Sequence, residues 1–169
     1  VLIEAALSFL GLGDPNRVTW GGMIAEGRTV LRSAPYLSII PGIALMATLA
    51  CAYAQVCTED ALDWARQRKT FGAALAERQV IRHKLVDMAT RVETARTLVY
   101  DLAWRLQQGL GPASAMVART CMAKVVATQA MQFCADQAVQ ILGGMGFMRG
   151  TRSERIYREV KVMMIGGGS

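Results

Sequence analysis

The sequence predicts an all-α protein, an up-and-down helical bundle with an apolar N-terminal extension, and three observations predict it. Of 169 residues 53% are hydrophobic, only 4 are Pro, and 10 Met accompany many Ala, a composition that favours packed helices. Apolar residues within 77–108 recur at steps of three and four. Glycine clusters at 109–111 and 143–146 punctuate long stretches, which implies antiparallel helices joined by short loops.

Residues 1–12 are apolar but for Glu4, and a turn-rich stretch follows through Gly11, Gly13, Asp14-Pro15-Asn16 and Gly21-Gly22. No charged residue stands between Arg32 and Glu59. The run 33–58 is longer than the about 20 apolar residues that a bilayer crossing needs. Pro35, Pro41 and Gly42 interrupt its first part, and a buried core helix starting after Pro41 accounts for the same pattern. The two readings stand level. Without a bilayer, 43–58 is expected to form the first bundle helix while 1–34 packs loosely or stays mobile. A signal peptide matches poorly, because the start is not basic and the apolar opening runs into Gly13-Asp14-Pro15.

A helix is expected over Asp60–Arg68, then a loop over Thr70–Leu75 containing Phe71-Gly72. A long helix should run from Glu77 to Gln108, burying one stripe: Ile81, Leu85, Met88, Val92, Ala95, Val99, Leu102 and Leu106. Gly109 and Gly111-Pro112 stop it. The next helix should span Ala113–Leu142 and end at Gly143-Gly144-Met145-Gly146. A short helix over Ser153–Met163 follows, with Ser153 as its N-cap.

The net charge is +6 and is unevenly placed. In residues 1–50, Glu4, Asp14 and Glu26 cancel Arg17, Arg28 and Arg32, so the whole excess lies in 51–169. Such an excess suits nucleic acid, membrane phosphates or an anionic cofactor. No basic block is interleaved with aromatics, so a nucleic-acid groove is not expected. Cys51, Cys57, Cys121 and Cys134 form no C-x-x-C pair and have one His, His83, beside them, so no metal site is expected. They read as buried, reduced thiols of a cytoplasmic protein, and His83 as a solvated side chain.

Two segments carry chemical potential. Arg66-Gln67-Arg68-Lys69-Thr70-Phe71-Gly72 sits where a helix enters a loop. Arginine forks onto phosphate oxygens and Thr70 offers a hydroxyl; equally, cations at a helix C-terminus complement its dipole with no ligand. Gln140-Ile141-Leu142-Gly143-Gly144-Met145-Gly146 would let a ligand approach backbone amides, or is simply a glycine-rich helix stop. It is not the G-x-G-x-x-G fingerprint, which needs a preceding strand. The terminal Ile165-Gly166-Gly167-Gly168-Ser169 reads as a flexible end.

Taken together, Ala61-Leu62-Asp63-Trp64-Ala65-Arg66-Gln67-Arg68-Lys69-Thr70-Phe71-Gly72, Glu77-Arg78-Gln79 and Lys84-Leu85-Val86-Asp87-Met88-Ala89 resemble the acyl-CoA dehydrogenase family. So do Asp136-Gln137-Ala138-Val139-Gln140-Ile141-Leu142-Gly143-Gly144-Met145-Gly146-Phe147 and Glu154-Arg155-Ile156-Tyr157-Arg158-Glu159. The resemblance covers about 51–169, in order and at family spacing. It implies the family's C-terminal helical bundle, which mediates association into a dimer or tetramer. It also implies FAD. Arg68 and Thr70, with Phe71 beside them, and Gln79 match positions that contact the FAD of a neighbouring subunit; Gln140, Gly143 and Gly144 match those holding its adenosine diphosphate part. The family oxidises an acyl-CoA between its α and β carbons, with a glutamate taking the α proton. At the family's two positions for that base this sequence has Gly167 and, near the start of the domain, Gly42, so no catalytic residue is assigned. The domains that hold the flavin ring and most of the substrate are expected to be missing, and the chain alone is expected to be inactive.

Residues 1–47 read differently. Glu4-Ala5-Ala6-Leu7-Ser8-Phe9-Leu10-Gly11-Leu12-Gly13-Asp14-Pro15, then Trp20-Gly21-Gly22-Met23-Ile24-Ala25-Glu26-Gly27-Arg28, resemble the C-terminal region of an ABC-type peptide transporter permease. The chain thus divides into a permease-like segment, 1–47, and a helical bundle, 48–169, joined within an apolar helix around 45–52. Three functions compete: a cytoplasmic enzyme piece with half a flavin site, an inner-membrane remnant anchored through 33–58, and a bundle that only associates with partners.

Overall fold

The computed structural model describes residues 2–14, 16–30, 32, 34 and 36–166. Helices α1 (Leu2–Phe9) and α2 (Trp20–Gly27) precede a 3-10 turn, Arg28–Val30. Helix α3 (Tyr36–Gln67) leads into a two-stranded ribbon, β1 (Lys69–Thr70) and β2 (Ala73–Ala74). Helices α4 (Gln79–Gln108), α5 (Ala113–Leu142), the single-turn α6 (Gly144–Phe147) and α7 (Arg152–Ile165) complete the chain. The fold is all-α with an up-and-down core, as the sequence predicts.

Helix α3 corrects the expectation of separate helices after Pro41 and from Asp60. It starts at Tyr36 and runs unbroken through Pro41 to Gln67. Pro41 lies in the second turn, where its missing N–H forfeits a single bond, to the Leu37 carbonyl. At Asp60 only the polarity changes, because no breaker stands between 43 and 67. The helix is long enough to cross a membrane, and an 18-residue stretch within it has a mean hydropathy of 1.9. Of that stretch 39% is buried inside the protein, on its small-residue face. Ala44, Ala47, Ala54, Cys57, Ala61 and Ala65 are fully buried at helical spacing. Helix α5 answers with Ala127, Ala130, Cys134, Ala135 and Ala138, and most of these small residues share one core cluster. Small side chains let two helices approach closely, and Met88 and Met131 fill the irregular space that remains.

The α4 stripe is buried as expected. Met88, Val92, Ala95, Val99 and Leu102 are core, while Ile81, Leu85 and Leu106 are half-buried at its ends. Gly109, at φ 65, closes the helix. Helix α5 has the bounds the sequence predicts. Helix α7 does not begin at a Ser153 cap. Thr151 is the N-cap, its hydroxyl accepting from Glu154 N at 3.2 Å, while Ser153 is buried at the second position of the helix.

Helices α1 and α2 pack more closely than loose packing implies. Helix α1 lies on α2, and α2 on α3, at close range. A Cβ on Gly21 would collide with the Ala5 carbonyl, and one on Gly27 with the Ser38 hydroxyl. Ser38 Oγ also donates to Ile24 O at 3.3 Å. The turn-rich stretch is therefore partly helical, its glycines serving helix contact.

Candidate functional site

Helices α3 and α5 point the same way and α4 points back. Lys84 Nζ, early in α4, donates to Gln137 Oε1, late in α5, at 2.5 Å. Arg119, early in α5, pairs with Asp101, late in α4, at 3.5 Å. The end of α3, the start of α4 and the end of α5 thus share one end of the bundle. Arg68, Thr70, Phe71, Gln79, Gln140, Gly143 and Gly144 all lie there, on exposed or half-buried surface. They form an open surface.

The loop expected over 70–75 is a ribbon. Lys69 faces Ala74 and Thr70 faces Ala73, so two residues make the turn, Phe71 at φ 52 and Gly72 at φ 80. Positive φ at both positions is the type I′ hairpin geometry, which matches strand twist. It suits Gly72 and strains Phe71, whose Cβ crowds its own backbone where glycine has none. Phe71 is 100% exposed, so no contact of its own chain offsets that strain. Contacts from behind hold the ribbon. Arg68 O accepts from Leu75 N at 2.9 Å, Arg78 Nη2 donates to Thr70 O at 3.0 Å, and Ala74 N donates to the Glu77 carboxylate at 3.1 Å. Arg78 and Arg82 are spent on loop carbonyls, whereas among the described residues no carboxylate pairs with exposed Arg66, Arg68 or Lys69.

The glycines differ in what they do. Gly143, at φ 59 and ψ −129, occupies a conformation that side chains exclude. Gly146 packs on the chain, a Cβ there falling 2.6 Å from Val139 O. Gly144 has neither constraint: its φ is ordinary and a Cβ would meet nothing within 4 Å. The fold leaves open space over that residue's backbone.

Sequence reasoning missed Asp60. Its carboxylate accepts from Ser153 Oγ at 2.9 Å and from Arg152 Nε at 3.1 Å, with Arg152 Nη2 closer still. These bonds fasten α7 to α3, and the Asp60 bond holds the Arg152 guanidinium above its usual range. The signal was present: Asp60 adjoins the stripe that includes Cys57 and Ala61, an acid beside a buried face. A cleft of about 330 Å³ opens here, lined by Asp60, Asp63, Trp64, Gln67, Leu142 and Gly150 among others.

Burial pushes the Cys57 thiol up to about 12 and those of Cys51 and Cys134 up to about 11, which keeps them protonated and inert. Cys121 departs from the expectation of burial: it is exposed, because the inward position beside it belongs to Thr120. His83 is exposed. Gly42 lies within α3, and Gly167 lies outside the described residues.

Residues 42–169 match the family described as acyl-CoA dehydrogenase, C-terminal domain. An acyl-CoA dehydrogenase of Bacillus subtilis (strain 168) is 41% identical over 124 residues, 73% of this chain and 32% of that protein. The human mitochondrial short-chain specific acyl-CoA dehydrogenase is 36% identical over 124 residues, 73% of this chain and 29% of that protein. The structure of butyryl-CoA dehydrogenase from Megasphaera elsdenii superposes with a TM-score of 0.74 at 31% identity, over 79% of this chain and 34% of that one. The chain spans about a third of the length of the relatives it matches. None of these matches supports the permease-like reading of residues 1–47.

Proposed function

This chain belongs to the acyl-CoA dehydrogenase C-terminal domain family, and from that premise we propose that it supplies the part of a flavoprotein oxidoreductase that grips FAD from outside the flavin pocket. The observation that carries the proposal is the convergence, at one end of the bundle, of an unpaired basic ribbon with the open backbone at Gly144. A pyrophosphate asks for cations and backbone N–H groups; ribose and adenine ask for neutral polar groups.

In this reading Arg68 forks onto phosphate oxygens and Thr70 donates its hydroxyl. Phe71, held out by the turn, packs against the cofactor. Gln79 and Gln140 bond its polar edges, and the Gly143–Gly144 backbone lies along the adenosine diphosphate part. When bound, FAD supplies a hydride acceptor for oxidation of an acyl-CoA between its α and β carbons. The grip suits the FAD of a neighbouring subunit, so a cytoplasmic homo-oligomer, dimer or tetramer, is part of the proposal. The chain offers no carboxylate at Gly42 or Gly167, the two places where the family keeps its base, so by itself it does not dehydrogenate acyl-CoA.

Equilibrium dialysis against FAD tests the grip. The wild-type chain is expected to retain FAD, and Arg68→Ala and Gly144→Val to weaken retention about tenfold or more, the loss of a charge-assisted bond or of ligand space. Both sites are exposed, so circular dichroism melting should be unchanged. Equal retention by the variants, or none by the wild type, sinks the proposal. Turnover of an acyl-CoA with an electron acceptor, above an Arg68/Thr70 double variant, would overturn the claim of inactivity.

A further inference from the structure

A ribbon with two residues in each strand does not hold itself. Strands β1 and β2 pair only Lys69 with Ala74 and Thr70 with Ala73, and an isolated two-stranded hairpin is marginal in water. The turn adds a cost, because Phe71 sits at φ 52, where its Cβ crowds the backbone. Phe71 is fully exposed and Gly72 has open space beside it, so neither makes a contact that offsets this cost. The order of the ribbon therefore comes from outside its two strands.

Two adjacent residues supply it. Glu77 Oε1 accepts from Ala74 N at 3.1 Å on β2, and Arg78 Nη2 donates to Thr70 O at 3.0 Å on β1. The acid takes the N–H of one strand and the base takes the carbonyl of the other, so each strand has one side-chain clasp. Arg78 is itself fixed at the entrance of α4. Its N–H donates to Leu75 O at 3.0 Å, and its carbonyl accepts from Ile81 N at 3.0 Å and Arg82 N at 3.1 Å. Among the described residues no carboxylate pairs with Arg78, so its guanidinium is not drawn away from the ribbon. The clasp thus runs from a 30-residue core helix to the peptide just before Phe71, whose orientation sets the φ of that residue. On the reading that this end grips FAD, we propose that Glu77 and Arg78 are positioning residues. They hold the strained turn in advance, so that Arg68, Thr70 and Phe71 meet the cofactor already in place. Binding then has no ribbon to order, and that saving is kept as affinity.

Two measurements on the whole chain test the assignment. Limited trypsin, followed by mass spectrometry at the bonds after Arg68 and Lys69, reads the ribbon without any cofactor. Arg78→Met is expected to be cut about fivefold faster than wild type, since cleavage tracks the population of opened ribbon. Arg78→Lys keeps a donor of similar reach and should stay within about twofold of wild type. Phe71→Asn makes the Asn-Gly pair that a type I′ turn favours, so in that background Arg78→Met should change cleavage by less than about twofold. A general loss of stability would not be rescued in this way. Equilibrium dialysis then reads FAD: Arg78→Met is expected to weaken retention about fivefold and Arg78→Lys to restore it. Should Arg78→Met fail to fold, Glu77→Ala is expected to give the same two effects. Unchanged cleavage in Arg78→Met, or equal acceleration in the Phe71→Asn background, overturns the clasp. FAD retention that Arg78→Met leaves undiminished overturns the positioning role while the grip itself stands. No retention by wild type overturns the grip, and the positioning role with it.

Discussion

At its start, α3 exposes Tyr36, Leu37 and Ile39; at its end it exposes Arg66, and beyond it Arg68 and the ribbon residue Lys69 are exposed. Helices α4 and α5 connect the same two ends, yet one surface is apolar and the other basic and glycine-rich. The core between them, mostly alanine, cysteine and methionine, is specific to neither. The contrast teaches that a bundle separates stability from function along its length. The middle carries the packing, and each end is free to take a chemistry of its own.

The severest way to break that contrast is to damage the middle. Met131 is fully buried, and Met131→Ala should cost about 2–5 kcal/mol through lost transfer energy and a residual cavity. Urea unfolding should show both ends lost in one transition. Survival of one end alone would mean that the ends do not share a core.

Asp60→Ala should act on one end only. It leaves the buried Ser153 hydroxyl and the Arg152 guanidinium without their acceptor, at a cost of about 1–3 kcal/mol. Hydrogen exchange should quicken in α7 and not in α1 or α2. Equal quickening at both ends would show that Asp60 supports the whole bundle.

Alkali probes the middle more gently. Cys57, Cys51 and Cys134 have thiol pKa values raised from 9.0 to about 12, 11 and 11, chiefly by burial. The sign follows: the folded state holds these protons more tightly than the unfolded state. Their contribution is intact below pH 9 and is lost as pH rises toward 11 and 12. The urea midpoint should therefore fall between pH 9 and pH 11. A disulfide reagent at neutral pH should label exposed Cys121 quickly and the other three slowly. The smallest stability change belongs to the apolar end, where replacing exposed Ile3, Leu10 and Leu12 by Ser should alter folding by about 0.5 kcal/mol or less.

Much of this molecule was legible before any coordinates. The α4 stripe was readable because its 3.6-residue period needs no partner to be seen, and the bounds of α5 because Pro112 and Gly143 act locally. The candidate site residues were legible as motifs. Their gathering at one end was not, since 68, 79 and 144 meet only through the reversal of α4. The single α3 was obscured by Pro41, whose cost in the second turn is one bond and is outweighed by the buried alanine face.

The sequence by itself determined the helical class, the family and which polar groups are proposed to meet a ligand, because local periodicity and motif spacing are properties of the chain. Only the tertiary structure decided which glycine is structural and which is open, why Ser153 bonds Asp60 rather than capping α7, and which side of α1 is left bare. Those depend on what lies opposite each residue across the bundle, and contacts between distant segments leave no periodic mark in a single sequence.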